Sequence, residues 1–429
     1  MGIRFYNLNG FFVKKLAHGV NMEKRRVVVT GAGVVSALGG SRAELFEALL
    51  AGRCAVRRMP EWCAELPGVP LAAPVELDPE IAKRINRKFR RSMGPAALFA
   101  SLAALQAAEE SGLDAELLGS GRTGCAVSST MGSSSSIVEA TALLLSGRRE
   151  EMPATQFFKC ASHSSAFNVA NLLGINGVQL SPCSACASGL QSVGAAMEQI
   201  QLGKQDVMLA GGSDEATPAV AGSFEQLFAL AGGDVEPERA SRPFDADRRG
   251  LVCGEGAGIL VLEEYGHAVR RGAPLLLELT GYATNCSGVH VSQSDAASIE
   301  RCLKLALADA GLEPAGIDYV SAHATATVAG DREEAAALRN VFGGGVPVSS
   351  LKGHLGHTLG ASGAIELAAV CEMARRGVVV PTLNLERVGA ECAGLDLPVA
   401  PREKRIGAFA KCCIAFGGVN AVLIGKKLS

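Results

Sequence analysis

Fifty-one glycines are scattered through the 429 residues of this chain, between short β-branched runs and stretches rich in Ala and Leu. Glycine at that frequency punctuates the chain every few residues, which favours many short strands alternating with helices and hence a layered α/β architecture. The pattern predicts strands at 26–30, 123–128, 206–210 and 258–262 and helices at 42–51 and 189–202. The same succession then returns, with strands at 275–280 and 319–322, an apolar helix at 364–375 and a closing strand pair at 405–414 and 421–424. This is an internal duplication, with the charged segment 263–272 as its divide.

We therefore expect an N-terminal extension at 1–24, a first half at 25–270 and a second half at 271–429. No low-complexity linker separates the halves, so they are expected to pack as one unit. Residues 1–21 carry Phe5, Tyr6, Phe11 and Phe12 beside Lys14 and Lys15, unlike the body of the chain, and read as an appendage upstream of an alternative start at Met22.

Charge and cysteine usage exclude several classes. With 48% hydrophobic and 20% charged residues the chain is globular, and a net charge of -2 provides no global field for nucleic acid or an anionic membrane. Thirteen cysteines follow no regular framework and no signal-peptide pattern opens the chain, so reduced thiols in the cytoplasm are expected. Apolar runs are broken well short of the roughly eighteen residues that a membrane span needs.

Chemistry concentrates in three places. In Ser181-Pro182-Cys183-Ser184-Ala185-Cys186-Ala187-Ser188-Gly189, small residues crowd a cysteine directly before an apolar helix. A thiol there faces the positive end of the helix dipole and unpaired N–H groups, which favour the thiolate and can hold an oxyanion. The alternatives are a buried structural cysteine, or a Cys183/Cys186 C-x-x-C pair, which lacks a second such pair and a nearby histidine. His323 and His357 lie in turns after predicted strands, and two imidazoles with a thiol suit polarisation of a thioester carbonyl. His354 and His357 at i, i+3 also raise a metal site, although no carboxylate or third histidine lies close by. Gly31-Ala32-Gly33 fails the dinucleotide pattern at Ser36 and is expected to make a tight strand-to-helix turn, while Phe416 stands before paired glycines able to swing it or present its N–H.

Taken together, Arg26-Val27-Val28-Val29-Thr30-Gly31, Ala185-Cys186-Ala187-Ser188-Gly189, Arg242-Pro243-Phe244-Asp245, Gly254-Glu255-Gly256-Ala257-Gly258, the two histidine turns and Phe416-Gly417-Gly418-Val419-Asn420 resemble the elongating type I/II β-ketoacyl-[acyl-carrier-protein] synthases. The resemblance runs from about Arg25 to Lys427. It implies a thiolase-like fold whose duplicated halves form a five-layered αβαβα core, and a homodimer. It implies condensation of an acyl group on Cys186 with malonyl-[acyl-carrier-protein] in type II fatty acid elongation. His323 and His357 would bind and decarboxylate the malonyl thioester, Lys352 and Glu366 would support them, and the N–H groups of Cys186 and Phe416 would form the oxyanion hole. Phe416 would also gate the acyl chamber, and Ser292, Thr325 and Thr327 would line the pantetheine tunnel. Lys88, Arg90 and Arg91, within the basic segment that includes Lys83, Arg84 and Arg87, would meet an acidic acyl carrier protein. No metal and no cofactor beyond the carrier's phosphopantetheine arm is implied.

Departures from the pattern fall near the gate: Ala324 for Gly, Ser321 for Asn, Gly353-His354-Leu355 for Ser/Ala-Met-Thr, and Ile414-Ala415 for Phe-Gly. They leave acyl length open and keep a ketosynthase of a specialised aryl-polyene or polyketide pathway as the alternative. The intact cysteine and histidines speak against a silent chain-length-factor subunit, and the second histidine against an initiating synthase. A degradative thiolase would want a catalytic cysteine near the C-terminus, but Cys412 and Cys413 fall within the predicted strand.

Overall fold

The computed structural model describes residues 24–428 apart from 67, 69, 233 and 293, so the extension expected at 1–24 lies, except for Lys24, outside the described residues. Ten strands join in one sheet. In chain order they are β1 (Val27–Ser36), β2 (Thr123–Ser128), β3 (Gln179–Leu180), β4 (Val207–Asp214), β5 (Gly256–Glu264), β6 (Leu277–Cys286), β7 (Tyr319–Ser321), β8 (Val348–Ser349), β9 (Ala408–Ala415) and β10 (Val419–Lys426). Across the sheet they run β8-β7-β9-β10-β6-β1-β5-β4-β2-β3.

That order contains the same permutation twice. Counted from the centre, the first half reads first, fifth, fourth, second, third strand, and so does the second. The directions repeat as well: β1 with β5 and β6 with β10 are antiparallel, while β4 with β2 and β9 with β7 are parallel. The halves join where β1 pairs antiparallel with β6 over Val27–Val29. The duplication read from the sequence is thus a repeat of topology.

Strand alternation builds the layers. In β4, Val207 and Leu209 face one core while Met208 and Ala210 face another. In β9, Ala408, Ala410 and Cys412 face outward and Phe409, Cys413 and Ala415 inward. This period of two, apolar on both sides, is what a sheet covered by helices on each face requires. The outer face of the first half is covered by α1 (Pro95–Ser111) and α2 (Ser164–Leu173). Between the halves lie α3 (Ser188–Gln201) and α6 (Ser362–Arg376), and α4 (Ala296–Ala310) with α5 (Val328–Phe342) covers the outer face of the second. The result is the five-layered αβαβα core.

Gly31 and Gly33 correct one expectation. They make no strand-to-helix turn; β1 runs through them to Ser36, and α1 lies against them. A Cβ on Gly33 would stand 1.9 Å from the carbonyl oxygen of Ala103, and one on Gly31 2.3 Å from that of Ala107. Here glycine serves close approach of helix to strand. Strands expected at 206–210 and 275–280 also run on to Asp214 and Cys286, through glycine and polar residues that hydrophobicity alone does not mark as strand. Among the described residues no helix is long and apolar enough to cross a membrane.

Gly33→Ala is expected to lower stability by about 1–3 kcal/mol through overpacking of backbone on backbone, measured as a drop in the urea midpoint with an unchanged m-value.

Candidate active site

Cys186 stands two residues before α3, in a turn held by Ser188. The Ser188 hydroxyl accepts from the Ser184 N–H at 2.8 Å and donates to the Ala185 carbonyl at 2.6 Å. Ala185 takes a left-handed φ of 46°, a conformation that disfavours a side chain. The strained turn aims the Cys186 thiol at the other half of the molecule.

The imidazoles arrive from that half. His323 follows β7, and its N–H and that of Ala324 each donate to the Glu334 carboxylate at 2.7 Å. His357 lies in the turn before α6, with Nδ1 3.2 Å from the Ser362 hydroxyl and Nε2 2.9 Å from the Cys186 sulfur. The two rings meet edge to face with centroids 5.2 Å apart. The expected trio therefore converges.

Its electrostatics differ from the expectation. Burial pushes the Cys186 thiol up to about 12, Cys413 adds to that, and Lys352 opposes it. The resting group is a neutral thiol hydrogen-bonded to an imidazole, because desolvation outweighs the helix terminus. Both histidines are held well below the ordinary imidazole range, first by burial and then by the positive charge of Lys352, with Lys411 adding to it. They are neutral at physiological pH. His323 Nδ1 is buried with no hydrogen-bond partner among the described residues, and His323 lines a cavity that a ligand can enter.

Lys352 and Glu366 also meet, Nζ to Oε1 at 2.6 Å, both fully buried. The second carboxylate oxygen accepts from Lys411, which the sequence reading missed. Burial would raise the Glu366 carboxyl, but the two lysines hold it below its usual value.

A cavity of about 420 Å³ opens onto Cys186, His323 and His357 and is lined by Ser292, Thr325, Thr327 and Phe416. Phe416 sits on the β9–β10 turn, its ring 5.7 Å from that of Phe224. It also borders a second, apolar space of about 130 Å³ lined by Met131, Val220, Phe224 and Leu359. Lys88, Arg90 and Arg91 lie apart from this cavity, on or just after the short helix Arg87–Arg90, with Lys88 and Arg91 exposed and Arg90 half-buried.

The metal alternatives change. His354 is buried with its ring nitrogens 2.9 Å and 3.3 Å from the carbonyl oxygens of Arg53 and Pro381, so it braces the turn instead of joining His357. The donor atoms of Cys186, His323 and His357 do lie within 4.8 Å of one another. Two buried ammonium groups beside them oppose a divalent charge there. Cys183 is free and exposed, its sulfur 3.4 Å from the Thr130 carbonyl oxygen, so no C-x-x-C bridge forms.

Two family models match the chain, "Beta-ketoacyl synthase, N-terminal domain" over residues 24–268 and "Beta-ketoacyl synthase, C-terminal domain" over 276–386. The chain belongs to the β-ketoacyl synthase family. As members are, it is an acyltransferase of the condensing type. It is 34% identical to 3-oxoacyl-[acyl-carrier-protein] synthase 1 of Haemophilus influenzae, over 94% of this chain and 99% of that one. A solved β-ketoacyl synthase from Burkholderia phymatum superposes with a TM-score of 0.90 at 41% identity, covering 94% of this chain and all of the other. A type II polyketide ketosynthase, solved in complex with its acyl-carrier protein, superposes with a TM-score of 0.87 at 29% identity over 95% of this chain and 100% of its own.

Besides Lys411, this β-ketoacyl synthase places Glu334, Ser362 and Asp214 where the sequence reading had named nothing. Asp214 accepts from Ser129, Thr130 and the Gly360 N–H, tying the end of β4 to the His357 turn. The signal for Lys411 was available: in Ala408-Phe409-Ala410-Lys411-Cys412-Cys413, strand alternation puts it on the inward face with Phe409 and Cys413.

Glu366→Ala would strand Lys352 and Lys411 in the core without a carboxylate. We expect a loss of about 3–5 kcal/mol, read as a fall in the chemical-denaturation free energy.

Proposed function

We propose that this synthase joins an acyl group held on Cys186 to malonyl-[acyl-carrier-protein], giving 3-oxoacyl-[acyl-carrier-protein] in type II fatty acid elongation. The observation that carries the reading is the neutral imidazole of His357 at 2.9 Å from the Cys186 sulfur, with His323 edge-on behind it. As the thiol attacks the acyl thioester, His357 takes its proton, and the carrier thiol leaves with a proton in return. The malonyl thioester oxygen then accepts hydrogen bonds from the neutral rings. Loss of carbon dioxide leaves its electron pair in an enolate, whose carbon attacks the acyl-cysteine. The N–H groups of Cys186 and Phe416 would hold the resulting oxyanion until the carbon–sulfur bond breaks. Lys352 and Glu366 keep the field around the rings fixed.

The apolar space beyond Phe416 suits the acyl chain, and Ser292, Thr325 and Thr327 suit the pantetheine arm. A specialised polyketide or polyene pathway is the second reading, favoured by the likeness to a type II polyketide ketosynthase and by Ile414 and Ala415 at the gate. Condensation assayed across carrier-borne chain lengths separates the two.

Acyl carrier protein is the proposed partner. The mouth of the larger cavity is rimmed by exposed Leu227, Phe228, Val289 and Val328, while Arg249 and Arg332 there pair with Asp234 and Glu333. Apolar contact at the rim would complement Lys88, Arg90 and Arg91. A homodimer in the cytoplasm, with no cofactor of its own, completes the proposal. Support for the dimer comes from the sheet edge at β3, which has no further strand beside it among the described residues, and from the exposed Ile137, Val138, Leu144, Leu145, Phe157 and Phe158.

Cys186→Ala should abolish condensation with far-ultraviolet circular dichroism unchanged, and mapping of a bound acyl group to Cys183 or Cys413 would contradict the assignment. His323→Ala and His357→Ala should each cut malonyl decarboxylation at least about a hundredfold, checked by carbon dioxide release. Phe228→Ser should raise KM for carrier thioesters several-fold and leave a small N-acetylcysteamine thioester unaffected, which steady-state kinetics on both substrates will show.

A further inference from the structure

Lys411 is wholly buried on the inward face of β9, a place where an uncompensated ammonium costs several kcal/mol. Its Nζ donates to Oε2 of Glu366 and, at 2.7 Å, to the Cys412 carbonyl, while Lys352 occupies Oε1 of the same carboxylate. Glu366 thus holds two ammonium groups, and the other buried carboxylate near them, Glu334, is taken up by the His323 and Ala324 N–H groups. Lys352 alone would have left the second oxygen of Glu366 without this partner.

We infer that Lys411 is a positioning residue of the condensing centre: it fixes the second oxygen of Glu366 and supplies a second buried cation beside both imidazoles. This rests on the assignment of His323 and His357 as the rings that act on the malonyl thioester. Around those rings stand Lys352 from the segment before α6, Lys411 and Cys413 from β9, Glu366 from α6, Glu334 from α5, Cys186 before α3 and Asp214 at the end of β4, while the Tyr319 hydroxyl of β7 bonds Ser349 and lies near Lys411, and Cys412 points to the outer face. Lys352 and Lys411 are the cations in that set, and Lys411 disfavours protonation of each ring. A protonated ring is lost as a neutral partner for Cys186, and a positive charge held on nitrogen cannot take up the thiol proton. With the charge present, the rings stay neutral down to low pH. Without it, their protonation moves up toward the ordinary imidazole value.

The test is the pH profile of malonyl-[acyl-carrier-protein] decarboxylation by the full-length Lys411→Met, Lys411→Gln and Lys411→Arg variants, beside titration of labelled histidine rings by nuclear magnetic resonance. The acid limb should move up by about 1 pH unit in the Met and Gln variants and stay in place in the Arg variant. A limb unmoved in all three, or moved equally in all three, overturns the inference, because a structural brace changes rate without changing titration. If no neutral variant folds, the Arg variant decides with the wild type: rings that titrate alike in the two, both below the free value of about 6.5, support the inference, and wild-type protonation near that value, or a shifted titration in the Arg variant, defeats it. Wild-type enzyme with no decarboxylation at any pH would count against the condensing assignment, and the substrate-free ring titration would still judge Lys411.

Discussion

Three glycines set how closely the two central helices can meet, and the site follows from that distance. A Cβ on Gly189, in the first turn of α3, would lie 2.3 Å from the Gly360 carbonyl oxygen before α6, and one on Gly212 in β4 would lie 2.4 Å from the same atom. Any side chain at these positions would force the helix ends apart. Cys186 and His357 stand on the segments that those contacts bring together, so a hydrogen bond at 2.9 Å depends on side chains that are absent. Asp214, accepting from the Gly360 N–H at 2.6 Å, ties the same junction from the polar side.

Burial then determines the chemistry. A thiol and two imidazoles removed from water prefer their uncharged forms, and the lysines at Glu366 reinforce that preference for the rings. The site therefore begins as a neutral donor and acceptor pair beside a fixed positive field, and negative charge develops only when a thioester arrives. Interactions made with charge as it forms lower a barrier more than interactions already satisfied at rest.

Much of this was legible in the residues, and for physical reasons. Thr123–Ser128 is flanked by turn residues, and its strand bounds match expectation. The apolar helix after Cys186 has no charge until Glu198, a mark of deep burial, and the structure leaves only Gln191 and Ala195 partly open before that residue. Four outer helices, α1, α2, α4 and α5, went unread: α1 is Ala-rich with only weak amphipathic contrast, α2 is short with Ser and Asn among its apolar residues, and the other two carry the polar face of a surface helix. Glycine was misjudged at 31 and 33 because the sequence shows conformational freedom and close approach by the same letter. The thiol's charge was misjudged for a different reason: local sequence shows the helix terminus but not the depth at which it lies. Lys411 was overlooked because a lone charge in an apolar strand has no motif, only a parity.

The repeated strand order has one more consequence. Cys186 and His357 occupy equivalent places in the two copies, each just ahead of its copy's buried helix, so the reacting atoms belong to a seam. Neither copy holds a nucleophile and a base together. A single copy of the unit would need a second molecule to assemble such a pair, and joined in tandem the two copies hold it within one chain.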